Sequence, residues 1–177
     1  MRKNVKSQRI REGWNPPQRG PKALKEENEA GPGRQEFVFC PGCGIVYYHK
    51  SWHHALEDWR HLKGDERIKF VLCPACLMIK GKKFEGELTV SGLATRKLKE
   101  EIRGALENSG KLAFRRDPLD RIIEIEEKGN RLIVRTTENQ LAVKLAKKIK
   151  LTFGGKMTVS HSREEDVIRA EVMLKNV

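Results

Sequence analysis

The rhythm of apolar and polar positions changes along the chain and divides it into three segments. Residues 1–35 show almost no aliphatic periodicity and are interrupted by Pro16, Pro17, Pro21 and Pro32 and by glycines at 13, 20, 31 and 33. A stretch of this kind buries too little apolar surface to offset the entropy of ordering, which predicts an extended or disordered arm. Residues 36–86 carry two short strand-like runs, FVF at 37–39 and IKFVL at 68–72, each running into a pair of cysteines. Between them, SWHHALEDWRHLKG places Trp52, Ala55, Leu56 and Trp59 at helical spacing, with Ser51 able to cap and Gly64 able to stop a helix over about 52–62.

Residues 87–177 read as a compact α+β unit. A helix near 94–108 aligns Leu98, Ile102, Ala105 and Leu106, and the RDP at 116–118 breaks the chain. RIIEIEE and RLIVRTT alternate around KGN, a hairpin signal. TENQLAVKLAKKIKLTFGG predicts a strong helix with a Thr137–Gln140 capping box, stopped at Gly154-Gly155. Its Leu141, Ala142, Leu145 and Ile149 face inward, leaving Lys144, Lys147, Lys148 and Lys150 wet. KMTVSHS and DVIRAEVML form a second hairpin. The expected order is a helix followed by β-β-α-β-β, a single sheet with its helices on one face. The fold class is therefore α+β: a small ribbon with an inserted helix, then the sheet domain.

The cysteines change this picture most. CPGC supplies Cys40 and Cys43 and CPAC supplies Cys73 and Cys76; these four are all the chain has. Two residues between cysteines let both thiolates of a tight turn point at one ion, and the glycine after Cys43 is expected to relieve crowding around the sulfurs. Two such turns suit one tetrahedral Zn2+, closed by protein ligands and hence structural. Iron is the rival metal, since rubredoxin-type carriers use two Cys-Pro-x-Cys turns; the intervening helix and the basic, longer chain weigh against it. His49, His53, His54 and His61 lie between the pairs and are expected to form a polar helix face able to touch phosphate, not a second metal site or a general base. Trp52 and Trp59 are expected to build the small core around the metal. One of the adjacent tyrosines must face away from that core, and Tyr48 is the better candidate to stack on RNA bases.

Charge then suggests the partner. Over 177 residues, 36 Lys and Arg against 24 Asp and Glu give +12, which favours a polyanion. The arm alone carries nine basic residues against four acidic ones, a net +5. The expected RNA contacts are Arg2, Lys3, Lys6, Arg9, Arg11, Trp14 and Arg19 in the arm, Tyr48, Lys82 and Lys83 in the ribbon, and Lys144, Lys147 and Lys148 on the last helix. The EIEE at 124–127 reads as a solvated hairpin edge. MRKNVKSQRIREGW lacks the apolar run of a signal peptide, and no stretch is long enough to cross a bilayer as a helix. The expected setting is a reducing cytoplasm, where Cys-x-x-Cys pairs signal metal or redox chemistry instead of structural disulfides. No phosphate loop, nucleophile elbow or metalloprotease helix is present.

Together, CPGCG, CPAC and the segment Ile123-x-Ile125-x-x-x-Gly129-x-x-Leu132-x-Val134-x-Thr136-Thr137, running on through Ala142 to Leu145, resemble the bacterial and archaeal relatives of nonsense-mediated-decay protein three. The resemblance covers about residues 37–175. It implies binding to the large ribosomal subunit with a zinc-bearing N-terminal region. Archaeal and eukaryotic members of that family carry more cysteine pairs and continue into further β-rich domains, so nuclear export and late maturation are not carried over. The expectation is a non-catalytic, monomeric factor that binds ribosomal RNA and has no membrane or small-molecule partner. A zinc-ribbon DNA-binding regulator is the alternative, although no helix-turn-helix is visible, and a Cys-x-x-Cys redox enzyme is the third class.

Overall fold

The computed structural model of the chain describes residues 37–48, 50–54, 68–162 and 166–175. The arm at 1–35, and residues 55–62 of the expected inserted helix, lie outside the described residues. The described residues all belong to one unit, Gln35–Val177.

The first part is a four-stranded sheet in the order β3-β2-β1-β4. Its strands are β1 (Val38–Phe39), β2 (Val46–Tyr48), β3 (Ser51–His53) and β4 (Lys69–Phe70). The two apolar runs before the cysteines thus become β1 and β4, paired in parallel. Ser51, Trp52 and His53 do not start a helix; they pair as a strand with Tyr48, Tyr47 and Val46. The helical spacing of Trp52 was misleading because a three-residue strand places the same indole against Tyr47, with ring centroids 5.4 Å apart. A short helix not read from the sequence, α1 (Pro74–Lys80), is built on the second cysteine pair, with Cys73 as its N-cap, Pro74 in its first turn and Cys76 within it.

The second part is a five-stranded mixed sheet in the order β6-β7-β5-β9-β8. Its strands are β5 (Gly86–Ser91), β6 (Ile122–Lys128), β7 (Arg131–Thr136), β8 (Lys156–Ser162) and β9 (Val167–Met173). Both expected hairpins form, β6 with β7 and β8 with β9. Strand β5, absent from the expected order, is the central strand, antiparallel to β7 and parallel to β9. It alternates strictly, with Gly86, Leu88 and Val90 buried and Glu87, Thr89 and Ser91 half-buried. Only two of its six residues are aliphatic, so its hydrophobic signal is weak.

Two helices cover the apolar face. Helix α2 (Arg96–Arg116) begins at Thr95, whose hydroxyl accepts from the Leu98 N–H at 3.2 Å. It runs well past the expected residue 108 to the Asp117-Pro118 break. Gly110 stays helical because its missing side chain lets Ile122 pack close; a Cβ there would lie 2.7 Å from the Ile122 Cδ1. Helix α3 (Asn139–Phe153) buries Leu141, Ala142, Leu145, Ala146 and Ile149 and ends at Gly154, at φ 80°. The core joins Leu88, Val90, Leu132, Val134 and Val172 of the sheet to Ile102, Leu106, Leu141, Leu145 and Ile149 of the helices. A fully buried aliphatic side chain stabilises by about 1.5–3 kcal/mol, so this domain has the means to fold without a metal. By contrast, the ribbon core among the described residues comprises Cys40, Ile45, Cys73 and Ala75 with partly buried neighbours.

The capping box at Thr137 and Gln140 does not form. Helix α3 is capped by the backbone of Glu138 with no side-chain bond. The Thr137 hydroxyl is engaged elsewhere: it donates to the Leu119 carbonyl at 2.6 Å and accepts from the Arg121 N–H at 2.9 Å. The acidic hairpin edge is paired as well as solvated, with Glu127 on Lys99 at 2.7 Å and Glu124 on Arg135. Among the described residues no helix is long and apolar enough to cross a membrane.

Candidate metal centre

The two Cys-x-x-Cys turns converge. The sulfurs of Cys40, Cys43, Cys73 and Cys76 all lie within 4.8 Å of one another, and those of Cys43 and Cys73 are 3.7 Å apart. Four thiolates each about 2.3 Å from a shared ion stand about 3.8 Å apart, whereas a disulfide needs about 2.05 Å. The spacing therefore fits one ion held by four sulfurs, and all four cysteines are free. Backbone N–H groups aim at the sulfurs: Cys73 N–H donates to Cys40 Sγ at 3.2 Å and Cys76 N–H to Cys73 Sγ at 3.4 Å. Such donors offset the negative charge that four thiolates bring to a divalent ion.

The glycines of the first turn divide the work differently from expectation. Gly44, after Cys43, has open space around its Cβ position; what it supplies is a left-handed φ of 76°, with its N–H on the Cys40 carbonyl at 2.8 Å. The crowding falls on Gly42, whose Cβ would come within 3.1 Å of Cys76 Sγ and of Leu72.

The metal-free thiols differ in proton affinity. Burial raises that of Cys40, but hydrogen bonds from the Cys73 N–H, the Cys43 thiol and the Gly42 and Cys43 N–H groups prevail and lower its pKa to about 6. Burial pushes Cys76 up to about 11 and raises Cys73 further. At neutral pH these two hold their protons, and metal binding must release both. Raising the pH removes that competition, so apparent metal affinity should rise by about a hundredfold or more per pH unit below 9. Competition against a chelator at pH 6.5 and pH 8, corrected for the chelator's own protonation, reads this; a pH-independent affinity would contradict it.

One residue missed in the sequence ties the centre to the sheet domain. Arg121 Nη1 donates to Cys76 Sγ at 3.7 Å and Nε to the Pro118 carbonyl at 3.0 Å, while the guanidinium lies 4.8 Å from the Phe114 ring centre. Its Nη2 is buried with no partner among the described residues. Burial acts to lower its pKa, but the neighbouring Cys43, Cys73 and Cys76 sulfurs raise it above the ordinary arginine value. Thr137 holds the Arg121 backbone in place. Both residues fall in or beside the TT-ended strand motif, but only the fold brings residue 121 to the cysteines. Arg121→Met should loosen the metal about 10- to 100-fold, as loss of an outer partner does, with partial rescue by Lys. Chelator-driven metal release would report it, and an unchanged release rate would contradict this role.

No protein-family model and no curated protein matches the chain. Its description rests on its own geometry: a four-cysteine metal site like that of a zinc ribbon, followed by an α/β sheet domain.

The other expected site residues are more dispersed. Arg2, Lys3, Lys6, Arg9, Arg11, Trp14 and Arg19 lie outside the described residues, as do His49, His61 and Trp59. Lys82 and Lys83 are exposed after α1, Lys82 with a left-handed φ of 51°. Lys144, Lys147 and Lys148 are exposed on α3, where Lys144 reaches Asp120 at 3.6 Å. Tyr48 is half-buried and stacked on Phe37, centroids 5.0 Å apart. Of the histidines between the cysteine pairs, the two that are described, His53 and His54, have structural partners in place of the expected helix face. His53 Nε2 lies 2.8 Å from Ser51 Oγ and 3.0 Å from the Tyr48 carbonyl. His54 Nε2 donates to the Phe114 carbonyl at 2.7 Å, satisfying an end carbonyl of α2. Trp52 packs on the cysteine core as expected.

Proposed function

We propose that the four sulfurs hold a single structural zinc ion and that the chain is a non-catalytic factor binding the large ribosomal subunit through ribosomal RNA. The observation that carries this reading is the pairing of a closed four-sulfur centre with a net positive segment around it. Residues 37–83 carry eight Lys and Arg against four Asp and Glu, a net +4, and Lys50, Lys69, Lys80, Lys82 and Lys83 among them are exposed. A centre with four protein ligands keeps no position for water or substrate, so its work is to stiffen the ribbon. The lysines, the basic arm and the α3 lysine face then neutralise phosphates. The resemblance of Cys40–Cys76 and Ile123–Leu145 to the ribosome-adaptor family supports the same partner.

Sedimentation with purified large subunits tests it. The full-length chain should co-sediment in a salt-dependent manner, and a variant lacking residues 1–20 should bind more weakly with a flatter salt dependence. Truncated protein that sediments as tightly as full length at raised salt would remove the arm from the account. Preference for duplex DNA over ribosomal RNA in competition would favour a transcriptional regulator instead.

A further inference from the structure

The register of the small sheet collects aromatic rings on one face. Phe39 lies opposite Val46 in β2 and beside Phe70 in β4, and His53 continues the row in β3. Opposed residues of neighbouring strands share a face, and residues two apart along a strand return to it. Phe37 and Tyr48 therefore belong to this face too. The rings are paired: Phe37 with Tyr48 nearly parallel at 5.0 Å, and Phe39 with Phe70 at 6.2 Å. Trp52 and Tyr47 belong to the opposite face, and Trp52 packs on the cysteine core. The Phe70 side is open to solvent, with that residue 69% exposed despite its size.

A ring so exposed at a sheet edge does little for the fold, and burying it against a partner would be favourable. Charge selects the partner. Residues 37–83 carry eight Lys and Arg against four Asp and Glu, and Lys69, next to Phe70, is exposed; this net positive charge opposes a basic surface and attracts phosphates. Flat rings beside lysines suit a strand whose bases are unstacked, because each base offers a π-face to the ring while its phosphate meets the ammonium groups. Paired bases present no such face. We propose that Phe70 and Phe39, at the β4 edge of the ribbon, form a stacking platform for unpaired RNA nucleotides. This rests on the reading of the chain as an RNA-binding factor and specifies where, and on which form of RNA, the ribbon acts.

Fluorescence anisotropy with two labelled RNAs, an unstructured 12-mer and a fully paired hairpin, tests the platform on the full-length, metal-loaded chain. Phe70→Ala should weaken binding of the 12-mer about tenfold or more, leave its salt slope unchanged and leave the hairpin unaffected. Phe70→Trp should retain the 12-mer. Phe70→Leu keeps the apolar bulk without the ring and should behave like alanine, which separates stacking from folding; metal content and circular dichroism verify that each variant is intact. Equal losses for 12-mer and hairpin, or wild-type affinity in Phe70→Ala and Phe70→Leu, overturn the platform while leaving RNA binding standing. Wild-type chain that binds neither RNA overturns the RNA-binding reading itself.

Discussion

Cys73→Ser should abolish stoichiometric metal binding and unfold residues 37–83 while the sheet domain survives. Cys73 is fully buried, its sulfur lies 3.7 Å from that of Cys43, and it caps helix α1 by accepting the Cys76 N–H. Structural zinc supplies about 10–16 kcal/mol in small thiolate modules. Among the described residues the ribbon core has four buried members, two of them the metal-site cysteines Cys40 and Cys73, and they supply nothing comparable. The sheet domain has its own apolar core, with fourteen buried residues among those described, so its unfolding transition should persist. Limited proteolysis with mass mapping is the readout: new cleavages should fall within 37–83, with 86–175 protected. Protection throughout the variant would mean that the sulfurs contribute nothing to the fold.

The second large effect is expected at Gly86→Ala. Gly86 begins the central strand, where β5 runs under the start of α3. A Cβ there would lie 2.5 Å from Thr136 Oγ1, 2.7 Å from the Ala142 Cβ and 2.9 Å from the Glu138 carbonyl oxygen. None of these is the tip of a flexible chain. Thr136 is buried and donates to the Glu138 carbonyl at 2.7 Å, fixing the turn from β7 into α3. Overpacking of this kind costs about 1–3 kcal/mol, a fall in melting temperature of about 5–15 °C for a domain of this size. Gly104→Ala is the internal comparison. That position lies in α2 with open space around its Cβ site, so alanine should stabilise by about 0.5–1 kcal/mol. Thermal melts of the pair should move in opposite directions; a Gly86→Ala melt at or above wild type would contradict the packing at β5.

What could be read in the sequence was whatever a strong local rule governs. The Cys-x-x-Cys turns, the two hairpins and the α3 stripe each repeat a pattern within a few residues, and all are found. The readings that failed depended on distant partners. Strand β5 has two aliphatic residues and becomes central only because β7 and β9 flank it. Trp52 fitted a helix, yet the pairing of β3 with β2 decides its state. Thr137 matched a capping signature, but its hydroxyl is taken by Leu119 and Arg121. Arg121 illustrates the same limit at the metal centre: 45 residues from Cys76, it is an ordinary basic residue until the fold sets it beside the sulfur.

Native mass spectrometry of the purified chain, paired with elemental analysis and repeated after treatment with a strong chelator, tests the central claim most directly. The account predicts one zinc ion per chain, lost to the chelator together with the ordered ribbon signal in circular dichroism. A chain that carries no metal as purified, and whose spectrum the chelator leaves unchanged, would contradict it.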